Sequence, residues 1–242
     1  MIGTLLKAII QTTWPPGERQ EITAGIDAWT RWRYLRRLRR SVINDDSLLG
    51  FDEYRCIFFH VPRTGGNSIS RSLFGHAVGG HHFPETYEKV FGKERFEEYF
   101  KFAFVRNPWD RVVSAFLFLK DGGMHAADRE WAERHLQGMN DIPSFARGYL
   151  ARPNRETGIH FVPQIEFLTD EGGEIIVDFV GRFESIEVDY RDVAGRLGID
   201  SPLLPLNVSQ PRRDYRSYFD AESLKIVESV YAADVERFGY QF

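Results

Sequence analysis

The apolar run Cys56-Ile57-Phe58-Phe59 leads directly into the turn Pro62-Arg63-Thr64-Gly65-Gly66, and a helix-compatible stretch carrying Ile69 and Leu73 follows. A strand that feeds a glycine turn and then a helix belongs to folds in which strands and helices alternate, and such folds bury a parallel sheet between helical layers. The pattern recurs at Phe102-Ala103-Phe104-Val105, a second buried strand that stops at Arg106-Asn107-Pro108. Here Asn107 reads as a helix cap and Pro108 as the first helical residue, and Val112, Val113, Phe116 and Leu119 then form an apolar stripe at helical spacing. Ile175 to Phe183 is expected to be a third strand, Ile186 to Leu197 a helix, and Asp220 the start of a last helix whose Leu224, Val227, Tyr231 and Val235 share one face. Between the two turns, a helix is expected around Glu85 to Tyr99 and a cap at Asn67-Ser68; Asp121 to Arg155 reads as short helices and loops covering an acceptor.

The first turn has the layout of a phosphate-binding loop. Paired glycines let backbone N–H groups approach an anion, the helix start adds its dipole, Thr64, Asn67 and Ser68 offer side-chain donors, and Arg63 adds a full charge. The Walker pattern is absent, because the basic residue precedes the glycines and no Gly-Lys-Ser/Thr follows them. In the second segment Arg106 stands at the carboxyl end of a strand, where open α/β sheets hold their ligands, and Ser114 lies about 10 Å along the next helix. A phosphate held by both would lie beside that helix; the plain alternative pairs Arg106 with an acid and leaves Ser114 as packing. The expected architecture is therefore α/β, with a P-loop-like central parallel sheet flanked by helices on both faces, an N-terminal helical extension over residues 1–50 and a single domain over 51–242.

Composition limits the functions open to this fold. The chain of 242 residues has a formal net charge of −4, which argues against a surface built for nucleic acid, so anion binding must be local. One cysteine, Cys56, excludes an internal disulfide and reads as a buried strand thiol in a reducing compartment. The apolar start from Met1 to Ile10 is too short to span a bilayer. From Arg31 to Arg40 six arginines interleave with Trp32, Tyr34, Leu35 and Leu38. That stretch is either a peripheral contact for an anionic surface or a solvated helix face with its aromatics packed inward.

Taken together, His60-Val61-Pro62-Arg63-Thr64-Gly65-Gly66-Asn67-Ser68 and Arg106-Asn107-Pro108-Trp109-Asp110-Arg111-Val112-Val113-Ser114 resemble the carbohydrate-type sulfotransferases, the group related to heparan sulfate 2-O- and chondroitin 4-O-sulfotransferases of the Golgi and to bacterial relatives. Looser similarity continues through Pro163-Gln164-Ile165-Glu166-Phe167-Leu168, through Val177 to Glu184 and through Asp234 to Tyr240, while the first fifty residues carry no recognised motif. The resemblance implies transfer of a sulfuryl group from 3′-phosphoadenosine 5′-phosphosulfate (PAPS) to a hydroxyl, most simply of a carbohydrate, without a metal. It assigns the 5′-phosphosulfate to Arg63, Thr64, Gly65, Gly66, Asn67 and Ser68, and the 3′-phosphate to Arg106 and Ser114. The family's loop carries lysine where this chain has Arg63, a substitution that keeps charge but changes reach.

The family places a catalytic histidine between these segments, which leaves His82 and His81 as candidates, with His82 ranked first; a general base near neutral pH suits histidine. His160 and Gln164 are candidates for the acceptor site, and His60 is expected to be structural. Arg212 and Arg213 either close over the nucleotide or form a solvated pair. His76, His81 and His82 lack the further ligand a metal site needs. The compartment that fits these readings is the cytoplasm, in a soluble bacterial enzyme. The competing functions are an ATP- and magnesium-dependent kinase, and a non-catalytic module that binds nucleotide or glycan.

Overall fold

The structure is a computed structural model that describes residues 33–40, 47–78, 80–153, 157–205 and 213–242. Among the described residues three parallel strands form a sheet: β1 (Cys56–Phe59), β2 (Phe100–Val105) and β3 (Phe179–Arg182), with β2 in the middle. Phe58 stands opposite Phe102, and Val105 opposite Arg182. Successive strand residues point to opposite faces, so the unbroken burial of Cys56 to Phe59 and of Lys101 to Val105 means that both faces are covered. Among the described residues this is an α/β fold with its parallel sheet between helices.

The helices are α1 (Leu49–Glu53), α2 (Gly66–Phe74), α3 (Pro84–Phe91), α4 (Lys93–Glu98), α5 (Pro108–Lys120), α6 (Ala126–His135), α7 (Ile142–Phe145), α8 (Ile186–Leu197), α9 (Ala221–Val230) and α10 (Ala232–Phe238). The cap at Asn107 is as expected: its side chain accepts from the N–H groups of Trp109 and Asp110, and Pro108 opens α5. Asp220 likewise caps α9 through the N–H of Ser223.

Four expectations need correction. Helix α2 starts at Gly66, ahead of Asn67-Ser68, because Gly65 takes a left-handed turn at φ +85° and serves as the N-cap without any side-chain cap. The helix expected over Glu85 to Tyr99 is two, since Gly92 at φ +82°, ψ 154° adopts a conformation that only glycine tolerates. The third strand is confined to Phe179–Arg182; upstream, Ile175 makes only an isolated antiparallel bridge to Thr169. The final helix is broken at Tyr231, whose hydroxyl donates to the carbonyl of Phe161 at 2.9 Å.

Within the basic stretch, residues 33–38 are helical and bury Leu35 and Leu38, whereas Tyr34 is exposed. The inward face is therefore made by leucines and not by this aromatic. Arg39 forms an ion pair with Asp52, also donates to the carbonyl of Val90 at 3.2 Å, and lies over the Phe91 ring. This segment thus packs into the same core as α1 and α3; Arg31 and Trp32 lie outside the described residues. Cys56 is fully buried and its thiol is pushed far up by that burial. No helix among the described residues is long and apolar enough to cross a membrane.

Candidate active site

The carboxyl ends of β1 and β2 lie side by side, so the turn after each strand opens on the same edge of the sheet. After β1 the chain makes two left-handed residues in quick succession, Arg63 at φ +70° and Gly65 at φ +85°. A left-handed arginine carries a local cost of about 1 to 3 kcal/mol, and such strain persists only where neighbours hold it. Two neighbours do. The Arg63 carbonyl accepts from Arg106 Nη1 at 3.1 Å, and Arg63 Nε donates to Ser114 Oγ at 3.1 Å. The three residues that the two sequence segments put forward are thus joined directly, although Arg63 and Ser114 are 51 positions apart.

Each guanidinium also has an aromatic floor: Arg63 lies 4.3 Å above the Phe118 ring and Arg106 lies 4.0 Å above Phe183. Arg106 is buried and oriented by Asp110, which accepts from its Nε at 2.7 Å. Its backbone is fixed as firmly. The N–H of Arg106 donates to Gln164 Oε1 at 2.8 Å, and Gln164 Nε2 donates back to the Arg106 carbonyl at 2.8 Å. The Gln164 side chain is fully buried and committed to this clamp, while Asp234 accepts from the N–H groups of Gln164 and Ile165, at 2.9 Å each. Gln164 thus sits behind the site and not on its open side.

The loop glycines have distinct tasks. A Cβ on Gly65 would fall 2.6 Å from Ile186 Cδ1, and one on Gly66 would fall 2.0 Å from two atoms of the His60 ring. Gly66 therefore leaves room for His60, which stacks on Phe58 at 5.5 Å. The hydroxyl of Thr64 is buried and donates to the Val61 carbonyl at 2.9 Å, so its side chain closes the turn while its backbone stays part of the loop. Asn67 is half-buried and Ser68 buried in the first turn of α2, where the helix leaves its leading N–H groups without internal partners.

Three histidines gather beside this loop. The rings of His60 and His81 are 4.4 Å apart, and those of His81 and His160 are 5.9 Å apart. His81 Nδ1 lies 2.7 Å from the His60 carbonyl. A carbonyl only accepts, so Nδ1 carries the proton and Nε2 carries the lone pair. Burial, together with His160 and the charge of Arg63, pushes the His81 imidazole down to about 4 against the opposing effect of its bond to the His60 carbonyl. Burial likewise holds His60 well below the ordinary range. The ring of His82 packs edge-on against Tyr87, 5.7 Å away, and its charge acts on His60. The structure thus links His81, His160 and His60 ring to ring beside the loop, with His82 between His60 and α3.

Some residues of the site were given no role in the sequence, although Asp110, Arg111 and Phe183 lie within segments that resemble the family. Phe118, Phe183 and Asp110 orient the arginines, and Arg111 fixes the segment bearing His160 by donating to the carbonyls of His160 at 3.2 Å and Val162 at 2.6 Å. Asp128 accepts from His160 Nε2 at 3.1 Å. Arg213 is exposed, and Arg212 lies outside the described residues. Asp178 lies at the opposite, amino end of the sheet, where it accepts from the Lys101 N–H at 2.7 Å. Among the described residues, no three His, Cys, Asp or Glu side chains are grouped to hold a metal ion.

Comparison with known proteins bears on this geometry. The model of the Sulfotransferase family matches residues 47–241. The chain is similar to Carbohydrate sulfotransferase 10 of Mus musculus, with 25% identity covering 81% of this chain and 67% of the relative, and to Carbohydrate sulfotransferase 10 of Homo sapiens, with 28% identity covering 86% and 76%. An uncharacterized protein of Archaeoglobus fulgidus shares 27% identity over 46% of this chain and 78% of its own length. None of these relatives lends support to a bacterial, cytoplasmic setting. No solved structure gives a significant match.

Proposed function

Since the chain belongs to the sulfotransferase family, we propose that it transfers a sulfuryl group from PAPS to a hydroxyl of a carbohydrate, through a P-loop-like nucleotide site at the carboxyl ends of β1 and β2. The observation that carries this reading is the convergence of Arg63, Arg106 and Ser114 at one turn. A donor with phosphate at both its 3′ and 5′ positions needs two anion sites on one rigid frame, and the joining of residues that follow two adjacent strands supports that reading.

In this account the N–H groups of Gly65, Gly66, Asn67 and Ser68 and the guanidinium of Arg63 face the 5′-phosphosulfate. Arg106 and Ser114 face the 3′-phosphate, with Asp110 and Gln164 holding Arg106 in place. Sulfuryl transfer follows the logic of phosphoryl transfer, in which positioning and electrostatic stabilisation do most of the work. The acceptor oxygen forms a bond to sulfur as the bond from sulfur to the bridging phosphate oxygen breaks. Negative charge grows on that phosphate, where Arg63 and the loop N–H groups stabilise it. The acceptor proton passes to His81 Nε2, which holds a lone pair at neutral pH because the imidazole is buried and donates through Nδ1. The base is thus His81 in preference to His82, and Gln164 is a positioning residue in preference to an acceptor contact.

The carbohydrate acceptor rests on the names of the relatives. The nucleotide assignment is tested by titration calorimetry with adenosine 3′,5′-bisphosphate. Arg106→Ala is expected to weaken binding by about 1.5 to 3 kcal/mol, as for loss of a charge-assisted contact; unchanged affinity would remove Arg106 from the site.

A further inference from the structure

We infer that Asp128 and His160 form a positioning pair for the His81 base, with His160 Nδ1 accepting the hydrogen bond of His81 once that histidine has taken the acceptor's proton. The inference deepens the sulfotransferase reading and rests on it.

Three observations lead there. His160 is buried, at 9% exposure, and its Nδ1 has no hydrogen-bond partner. An unpartnered polar atom in such a place is costly to bury and points to a partner that the resting chain lacks. Second, its other nitrogen is accounted for. Nε2 lies 3.1 Å from Asp128 Oδ1, and a carboxylate only accepts, so the proton is on Nε2 and, in the neutral imidazole, the vacant lone pair is on Nδ1. Third, this ring meets His81 edge to face at 5.9 Å and shares the Phe118 ring with Arg63, His160 at 5.2 Å and the guanidinium at 4.3 Å.

The chemistry of transfer supplies the missing partner. Before transfer His81 is neutral, with Nδ1–H on the His60 carbonyl and a lone pair on Nε2. After transfer the acceptor proton is on Nε2, so a buried N–H carrying positive charge appears where there was an acceptor. His160 Nδ1 is an acceptor that becomes useful at that moment. Asp128 strengthens it by accepting from Nε2, and adds the negative charge that an imidazolium in a buried site requires.

Asp128 is suited to stay ionised. Burial opposes this, but His160 and the N–H groups of Met124 and His125, at 2.9 and 3.1 Å, hold its carboxyl well below the usual carboxylate range. The groups that face the pair are His81 and His60 from the loop side, Arg63 across Phe118, and Arg111, which donates to the His160 carbonyl. Asp128 is the carboxylate whose charge favours a protonated His81, while Arg63 and His160 oppose it. His60 has no such carboxylate and its ring is closed off by Gly66, so it does not substitute for His160.

Nitrogen-15 imidazole spectra of the full chain with adenosine 3′,5′-bisphosphate at neutral pH test this without an acceptor. In the wild type, His160 is expected to be protonated on Nε2 and His81 on Nδ1. Asp128→Asn keeps an oxygen for the N–H groups of Met124 and His125 but turns its amide toward His160, which moves the His160 proton to Nδ1 and blocks the acceptor. PAPS consumption, with water as the minimal acceptor, is then expected to fall about tenfold or more, while bisphosphate affinity stays within about twofold. A wild-type His160 protonated on Nδ1, an Asp128→Asn variant that turns over normally, or a parallel fall of turnover and nucleotide affinity each overturns the inference. A wild type that neither binds the bisphosphate nor consumes PAPS overturns the sulfotransferase reading, and this inference falls with it.

Discussion

Replacing Gly66 by alanine isolates the steric argument on which the loop's shape depends. Gly66 is helical and is not among the residues with positive φ, so its backbone accepts alanine, and the exchange raises helix propensity by at most about 1 kcal/mol. Against that, the new Cβ falls 2.0 Å from Cδ2 and Nε2 of His60 and 2.9 Å from Cε1, where ordinary contact needs roughly 3.5 to 4 Å. The ring has little room to yield, since it is buried between Phe58 at 5.5 Å and His81 at 4.4 Å. Overpacking of this kind costs about 1 to 3 kcal/mol, so after the gain in helix propensity a net loss of about 1 kcal/mol is expected. For a chain of this size each kcal/mol shifts the melting temperature by about 2 to 4 °C, which puts the fall near 2 to 4 °C. The assay is thermal and denaturant unfolding of Gly66→Ala, repeated in a His60→Ala background. There the overlap is gone and the same exchange is expected to be neutral or mildly stabilising. Equal stability of Gly66→Ala and wild type, or an equal loss in both backgrounds, would refute the argument.

Two further predictions concern the histidines. His81→Ala is expected to lower turnover about a hundredfold or more with nucleotide affinity retained, whereas His82→Ala leaves turnover near wild type; equal effects would dissolve the distinction drawn from ring placement. Because burial lowers the His81 imidazole from 6.5 to about 4, the unfolded chain binds the proton more readily. The resulting stability is present in full above pH 6.5 and is lost as pH falls toward 4, about 3 kcal/mol in all. Denaturant midpoints measured across that window are expected to fall steeply in wild type and less in His81→Gln.

The features legible in the sequence were those set by near neighbours in the chain. Asn107 with Pro108, and Asp220 with Ser223, are local capping chemistry, and the structure keeps both. The buried strands were equally plain, because a run such as Phe102 to Val105 fits only a sheet covered on both faces. Breaks were harder. Gly92 sits inside a pattern that reads as continuous helix, and only its backbone angles reveal the turn.

At the site, two arginine segments announced themselves, yet the pairing of Arg63 with Ser114 depends on how the strands are laid side by side. His81 and His82 are neighbours in sequence and are directed at different surroundings, so no local pattern separates them. Asp128 is 32 positions from His160 and reads in sequence only as a third-position cap acid for α6. Gln164 was visible as a polar residue near the acceptor segment; its burial and its bonds to the Arg106 backbone belong to tertiary packing.

The central claim is that this turn binds a nucleotide carrying phosphate at both ends of its ribose, and it is tested most directly by calorimetry of the wild-type chain with adenosine 3′,5′-bisphosphate and, separately, with ATP and magnesium. Saturable binding of the bisphosphate in the presence of a metal chelator, stronger than binding of magnesium-ATP, is the result expected from Arg63, Arg106 and Ser114 as they are placed. Preference for magnesium-ATP, or no binding of either nucleotide, would contradict it.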